Sequence, residues 1–211
     1  MIVPAILTDS PSELERKLSE CEKLAAIEAV HIDVLDGEFT QKNNPFPTVH
    51  PSEFPDLSAY HFEAEVHLMV NVPTEYLEAC RDRGIARVYV HAECPENWNV
   101  IARSVRSLGL EFGLAISPTT DLESIAVKAN DVDVLLVLGV TPGKQGQSMA
   151  PGTPERIRAA QILYPHLEIA TDGGVRAKLV AELTAAGAQR IVVGSAMWSG
   201  DLATAFGSFA H

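Results

Sequence analysis

Eight short apolar runs alternate with amphipathic stretches along the 211-residue chain, and glycines cluster after the sixth, seventh and eighth of them. The first strand-to-helix turn, Thr8-Asp9-Ser10, has no glycine at all. Together these observations predict an α/β fold, a single-domain (β/α)8 TIM barrel over residues 1–211. An open doubly wound sheet would also hold alternating units, but it normally binds its ligand at a Gly-rich turn after the first strand. The length suits one substantial domain, and a single domain is expected.

The elements follow in order from side-chain periodicity. A strand over 2–7 leads into Ser10-Pro11-Ser12-Glu13, a capping box with proline at the first helical position, and Leu14, Leu18, Cys21 and Ala25 mark one face of the helix behind it. In the strand over 29–35, Val30, Ile32 and Val34 share one face and His31 and Asp33 the other. Gly37 to Pro55 is polar and carries Pro45, Pro47, Pro51 and Pro55, so it reads as a loop over the strand ends with a short helix near its end. In the strand over 62–70, Phe62, Ala64, Val66, Leu68 and Val70 face outward, leaving Glu65, His67 and Met69 inside. Strands over 87–92, 111–116, 132–140, 167–171 and 190–194 then alternate with helices over 74–83, 97–107, 121–129, 153–163, 177–186 and 201–209.

Charged groups on otherwise apolar strands need partners, because an unpaired buried carboxylate is costly. His31 and Asp33 from one strand, His67 from the next and Asp172 from the Asp172-Gly173-Gly174 turn read as one metal site. Two imidazoles and two carboxylates suit a single divalent ion, Zn, Mn or Fe, and leave positions open for substrate. Gly173 and Gly174 follow the seventh strand, and Gly194 and Ser195 the eighth. Backbone N–H groups in two such loops can grip a phosphate without any lysine, at a helix N-terminus. Thr141-Pro-Gly-Lys-Gln-Gly-Gln147, with permissive points at Gly143 and Gly146, reads as a flexible segment able to close over a ligand.

Composition narrows the partners. A net charge of −12 and a pI near 4.9 repel nucleic acid and anionic membranes, so a small molecule is the expected ligand. Cys21, Cys80 and Cys94 are odd in number and lack C-x-x-C spacing, which fits free buried thiols in a reducing compartment. Met1 runs straight into Ile2-Val3-Pro4-Ala5 with no basic leader, and no apolar run approaches membrane-spanning length, so a cytoplasmic protein is expected.

Several motifs, taken in order, resemble the ribulose-phosphate 3-epimerase family. They are Pro4-Ala-Ile-Leu7, His31-Ile-Asp-Val-Leu-Asp-Gly37, Val66-His-Leu-Met-Val70, His91-Ala-Glu93 and Gly113-Leu-Ala-Ile-Ser-Pro118. Val140-Thr-Pro-Gly143 with Gly146-Gln147, Asp172-Gly-Gly174 and Gly194-Ser195 complete the set. The resemblance implies a divalent metal on His31, Asp33, His67 and Asp172, with Asp33 and Asp172 as the acid/base pair. It implies phosphate and substrate contacts at Gly143, Gly146, Gly173, Gly174, Gly194 and Ser195, and an apolar wall at Met69. The implied reaction interconverts D-ribulose 5-phosphate and D-xylulose 5-phosphate, a step of the pentose phosphate pathway, and such barrels are commonly homo-oligomers, for which Trp198 is a candidate exposed anchor. His91 and Glu93 read as interior groups beside the site.

The chain departs from the family pattern around the substrate. Ala5 stands in place of a serine, Leu35 and Leu138 in place of methionines, and Ser117 in place of an asparagine. Thr141, Lys144 and Gln145 replace Asn, Phe and Gly of the closing loop, and the segment after Phe39 lacks the usual Val-Pro-Asn. Epimerase chemistry with a drifted substrate wall is expected. The alternatives are a ketohexose 6-phosphate such as allulose 6-phosphate as substrate, or a catalytically silent sugar-phosphate-binding paralogue. A decarboxylase on the same barrel resembles D-x-K-x-x-D at the second strand, and His31-Ile-Asp-Val-Leu-Asp36 has no lysine there.

Overall fold

The structure, a computed structural model, describes residues 1–209. Eight parallel strands close into a barrel in sequence order, with β8 pairing back to β1. They are β1 Ile2–Ile6, β2 Ala29–Leu35, β3 Glu63–Met69, β4 Arg87–His91, β5 Glu111–Ile116, β6 Val134–Leu138, β7 Glu168–Asp172 and β8 Arg190–Val193. The helices outside are α1 Pro11–Glu22, α2 Thr74–Asp82, α3 Trp98–Ser107, α4 Ala126–Ala129, α5 Thr153–Leu163, α6 Val180–Ala186 and α7 Leu202–Phe209. The second crossover has no α-helix; the short helix expected near the end of the loop is the 3-10 turn Pro51–Glu53, and a second 3-10 turn, Leu57–Ala59, follows it. Pro51 and Pro55 lie in this stretch, and each removes a helix donor.

Two expectations need correcting. The first helix stops at Glu22, and Ala25 is exposed beyond it. The N–H of Lys23 turns back onto the carbonyls of Cys21 and Glu20, so Ile27 takes the core position. The buried face instead includes Lys17, whose ammonium reaches Glu13 at 3.0 Å and lies 5.0 Å from the centre of the Trp198 ring. Trp198 is therefore not an exposed anchor: it is half-buried, and its indole N–H donates to the Ala5 carbonyl at 2.6 Å.

Alternation splits the core into two. Val30, Ile32, Val34, Val66 and Leu68 pack outward against the helices, each stabilising by roughly 1.5–3 kcal/mol on burial. Inside the barrel lie Val3, Ala5, Ala29, Tyr89, Ala115, Val134, Leu136, Leu138, Ala170 and Val192. Tyr89 fits because its neighbour in register on β5 is Gly113. Any Cβ at Gly113 would sit 2.2 Å from the Tyr89 ring.

Below Tyr89 the interior is ionic. Arg190 forms an ion pair with Glu65 at 3.1 Å and donates to Glu168 at 3.1 Å, while Arg87 donates to Glu111 at 2.7 Å and Glu168 at 3.3 Å. Burial would push Glu65 toward the neutral form, but His31 first, and then Arg190 and Arg87, keep it below the usual carboxylate range.

Candidate metal centre

The barrel register gathers the polar inward residues at the C-terminal ends of the strands. Asp33 on β2 pairs with His67 on β3, and Asp172 closes β7 rather than opening the turn after it. One ligand atom from each of His31, Asp33, His67 and Asp172 lies within 4.8 Å of the others. His31 and His67 are fully buried, and Asp172 is open to the cleft above.

Hydrogen bonds decide which atoms face inward. His31 Nδ1 meets Glu65 Oε1 at 2.7 Å, while its Nε2, buried, has no hydrogen-bond partner and lies 3.5 Å from Asp33 Oδ1. His67 Nδ1 lies 3.2 Å from the same Asp33 oxygen, and its Nε2 meets His91 Nε2 at 2.8 Å. His91 Nδ1 in turn meets Glu93 Oε2 at 3.0 Å. An orphaned buried nitrogen aimed at a carboxylate is costly in a finished core. It is what a metal ligand looks like before the ion is added, and this mixed N/O set fits a divalent ion such as Zn, Mn or Fe.

The two carboxylates are driven apart. Burial opposes ionisation of Asp33, but its contact with His31, the largest opposing influence, holds it well below the usual carboxylate range. Asp172 is pushed up to about 6, first by burial and then by the charge on Asp33. His31 is drawn toward the neutral form by burial, yet Asp33 and Glu65 lift it to about 10. His91, buried beside His67, falls to about 4.

A narrow cleft opens over this cluster. Asp33, His67, Met69, Leu138 and Asp172 form its floor. Gly173, Gly174, Gly194 and Ser195 line one side, and Gly143 and Gly146 lie in the segment above. His31 sits beneath, outside the lining. Gly173 and Gly174 both have positive φ, +98° and +72°, and a Cβ on Gly174 would lie 2.2 Å from the Met149 nitrogen. Only glycine fits there.

Two features were not anticipated. Lys144 and Arg176 also line the cleft, so a purely backbone grip on an anion is an incomplete description. After Gly174 the chain winds from Ala177 as a 3-10 turn into α6, whereas Gly194 opens a turn in which its carbonyl accepts from the Met197 N–H at 2.9 Å and α7 starts only at Leu202. The 141–147 segment is folded onto itself, with the Gln147 amide donating to the carbonyls of Thr141 and Lys144. Asn43 donates to the Pro142 carbonyl at 3.1 Å, tying this segment to the long loop after β2. Sequence reasoning also missed Arg87 and Arg190. The signal was available for Arg87, since Arg87, Tyr89 and His91 alternate inward on β4.

Comparison with known proteins adds an independent line. The model of the ribulose-phosphate 3 epimerase family matches residues 1–198. The cytoplasmic isoform of ribulose-phosphate 3-epimerase from Oryza sativa subsp. japonica is 31% identical over 201 residues, 93% of this chain and 86% of that protein. Ribulose-phosphate 3-epimerase from Schizosaccharomyces pombe is 30% identical over the same shares of both chains. Among solved structures, a tryptophan synthase α-subunit variant from Pyrococcus furiosus superposes with a TM-score of 0.71 over 99% of this chain and 95% of that one. At 15% identity, that likeness concerns the fold alone.

Proposed function

The chain belongs to the ribulose-phosphate 3-epimerase family and is a carbohydrate epimerase, and from that premise we propose that it inverts C3 of D-ribulose 5-phosphate to give D-xylulose 5-phosphate. The observation that carries the reading is the pair Asp33 and Asp172, one held ionised and the other raised to about 6, within one buried cluster. Inversion next to a carbonyl requires a base on one face of the carbon and an acid on the other. Asp33, ionised, takes the C3 proton; Asp172, whose raised proton affinity makes it the more readily protonated of the two, delivers one to the opposite face. The reverse reaction exchanges their roles. Two carboxylates with separated affinities for protons are the arrangement such chemistry needs.

His31, Asp33, His67 and Asp172 are the residues that would hold one divalent ion, Zn, Mn or Fe. When bound, such an ion supplies Lewis acidity toward the substrate's carbonyl and adjacent hydroxyl oxygens. Met69 and Leu138 give the reacting carbons an apolar wall, and Gly173, Gly174, Gly194 and Ser195 offer N–H groups to the phosphate. Lys144 and Arg176 add positive charge at that end, and Gly143 and Gly146 let the segment above close and exclude water. Three free buried cysteines are consistent with a reducing cytoplasmic setting, and among the described residues no helix is long and apolar enough to cross a membrane. A homo-oligomer remains part of the proposal, with a contact other than Trp198.

The test is solvent exchange. Protein loaded with Mn²⁺ or Zn²⁺ should exchange the C3 hydrogen of D-ribulose 5-phosphate with D₂O, and absence of exchange with any ketose phosphate would overturn the reading in favour of a silent binding protein. The leucines at 35 and 138 favour one second reading, a ketohexose 6-phosphate such as allulose 6-phosphate. A higher kcat/KM for the six-carbon substrate would establish it.

A further inference from the structure

We propose that Glu93, acting through His91, is a positioning residue that sets the direction of a hydrogen-bond chain and so leaves the inward nitrogen of His67 with a free lone pair. The inference rests on reading the four-residue cluster as the metal centre.

The chain has two carboxylates at its ends and two imidazoles between them. Its three gaps are Glu93 Oε2 to His91 Nδ1 at 3.0 Å, His91 Nε2 to His67 Nε2 at 2.8 Å, and His67 Nδ1 to Asp33 Oδ1 at 3.2 Å. A neutral imidazole carries one N–H and one lone pair, and an ionised carboxylate only accepts. Two neutral rings therefore bring two protons to three gaps, and one gap holds none. The gap between the rings is the shortest and the one at Asp33 the longest, so the unfilled gap is the one at Asp33. His91 Nδ1–H then donates to Glu93, His67 Nε2–H donates to His91, and His67 Nδ1 faces the Asp33 oxygen with its lone pair. Two acceptors face each other across 3.2 Å, an arrangement that a cation relieves. Run in the opposite direction, the chain would have His67 Nδ1–H donate to Asp33, closing the contact without any ion.

Glu93 is built to win this contest. Its other oxygen, Oε1, accepts from the Ser117 N–H at 2.9 Å and from the Thr120 hydroxyl. The carbonyls of Ser117 and Thr120 are themselves held by Arg156 at 3.3 and 2.8 Å. Phe39 packs on the His91 ring with centroids 4.8 Å apart, fixing its plane. His31 likewise sets its outer nitrogen against a carboxylate, Glu65 Oε1 at 2.7 Å. Partners of this kind behind ligand histidines are worth 10- to 100-fold in metal affinity.

The Glu93→Gln variant reverses the chain rather than simply cutting it. The Ser117 N–H can only donate, so it keeps the amide oxygen at Oε1 and turns the amide NH₂ toward His91 Nδ1. Long-range ¹⁵N–¹H NMR of the metal-free wild type should show His91 protonated on Nδ1 and His67 on Nε2. In Glu93→Gln both rings should switch, and zinc affinity by chelator competition should fall 10- to 100-fold. A wild-type His67 protonated on Nδ1 overturns the proposal, even if the variant fails to fold. So does a folded Glu93→Gln protein with unchanged tautomers and unchanged zinc affinity. Wild-type protein that has the expected tautomers but takes up no zinc supports the chain direction and sinks the metal-centre reading instead.

Discussion

Asp172 sits at the point where burial and a neighbouring charge act against its ionisation, and replacing it with asparagine separates its catalytic role from its cost. Asp172→Asn should lower kcat by about 10²–10⁴-fold, the usual contribution of a positioned acid or base, with an unchanged far-UV circular dichroism spectrum; a wild-type rate would remove Asp172 from proton transfer. The same variant has an opposite effect on stability. The folded value of about 6 lies above the ordinary 3.8, so the folded protein holds this proton more tightly than the unfolded chain does. Stability is therefore lost as pH rises from about 4 to 6, and the whole cost is present above that. In metal-free protein, Asp172→Asn should be more stable than wild type at pH 8 by about 1–3 kcal/mol. Below pH 4 the two should coincide in denaturant unfolding.

At the scale of elements, the candidate site depends on β2, β3, β4 and β5 lying in strict register. Each inward side chain has a fixed neighbour: Asp33 beside His67, His67 beside Tyr89, and Tyr89 beside Gly113. The absent side chain at Gly113 is what admits the Tyr89 ring, which Arg87 holds by a 3.1 Å hydrogen bond and which lies 5.5 Å from the His31 ring. Gly113→Ala would force a methyl group into that ring at 2.2 Å. We expect a loss of about 2–3 kcal/mol in denaturant unfolding, and a change below about 0.5 kcal/mol, the range of harmless surface substitutions, would show that β4 and β5 can shift to accommodate it. Such a shift would also move His91, so the element-scale and site-scale effects should travel together.

For the whole molecule, the interior of the barrel is a column of charge sealed by an apolar shell. In metal-free protein His31, raised to about 10, carries a proton at neutral pH, and its value above the ordinary 6.5 makes that proton a stabilising one, fully effective below 6.5 and lost as pH climbs toward 10. Metal uptake must displace it, so binding should release protons, and the zinc-binding enthalpy should vary with the ionisation enthalpy of the buffer. An enthalpy independent of buffer would contradict a protonated His31. Zinc at a thousandfold excess over Kd should stabilise the fold by about 4 kcal/mol. For a chain of this size that raises Tm by on the order of 10 °C. The formal charge of −12 leaves Lys144 and Arg176 as a local exception at the mouth of the cleft, where an anionic substrate has to enter.

Periodicity alone determined the eight strands, the inward direction of His31, Asp33, Glu65, His67 and Met69, and the glycine turns after β7 and β8. Those are properties of neighbouring residues on one strand, and the chain states them locally. The Asp172-Gly173-Gly174 turn offered the fourth ligand from the residue pattern, and the family motifs implied the same set. Where local signals were weak the reading slipped: Ala25 continued a helical stripe past a turn made by backbone hydrogen bonds, and Trp198 looked like a surface anchor because the Ala5 carbonyl that holds it is far away in sequence. Only the tertiary structure decided which nitrogen of each histidine faces the cluster, how Glu65 is shared between His31 and two arginines, and that Glu93 lies behind His91 with its second oxygen already taken. Each of these depends on distances between strands that closure of the barrel sets, and a hydrogen bond's direction is a property of the whole connected chain of donors and acceptors rather than of any residue in it.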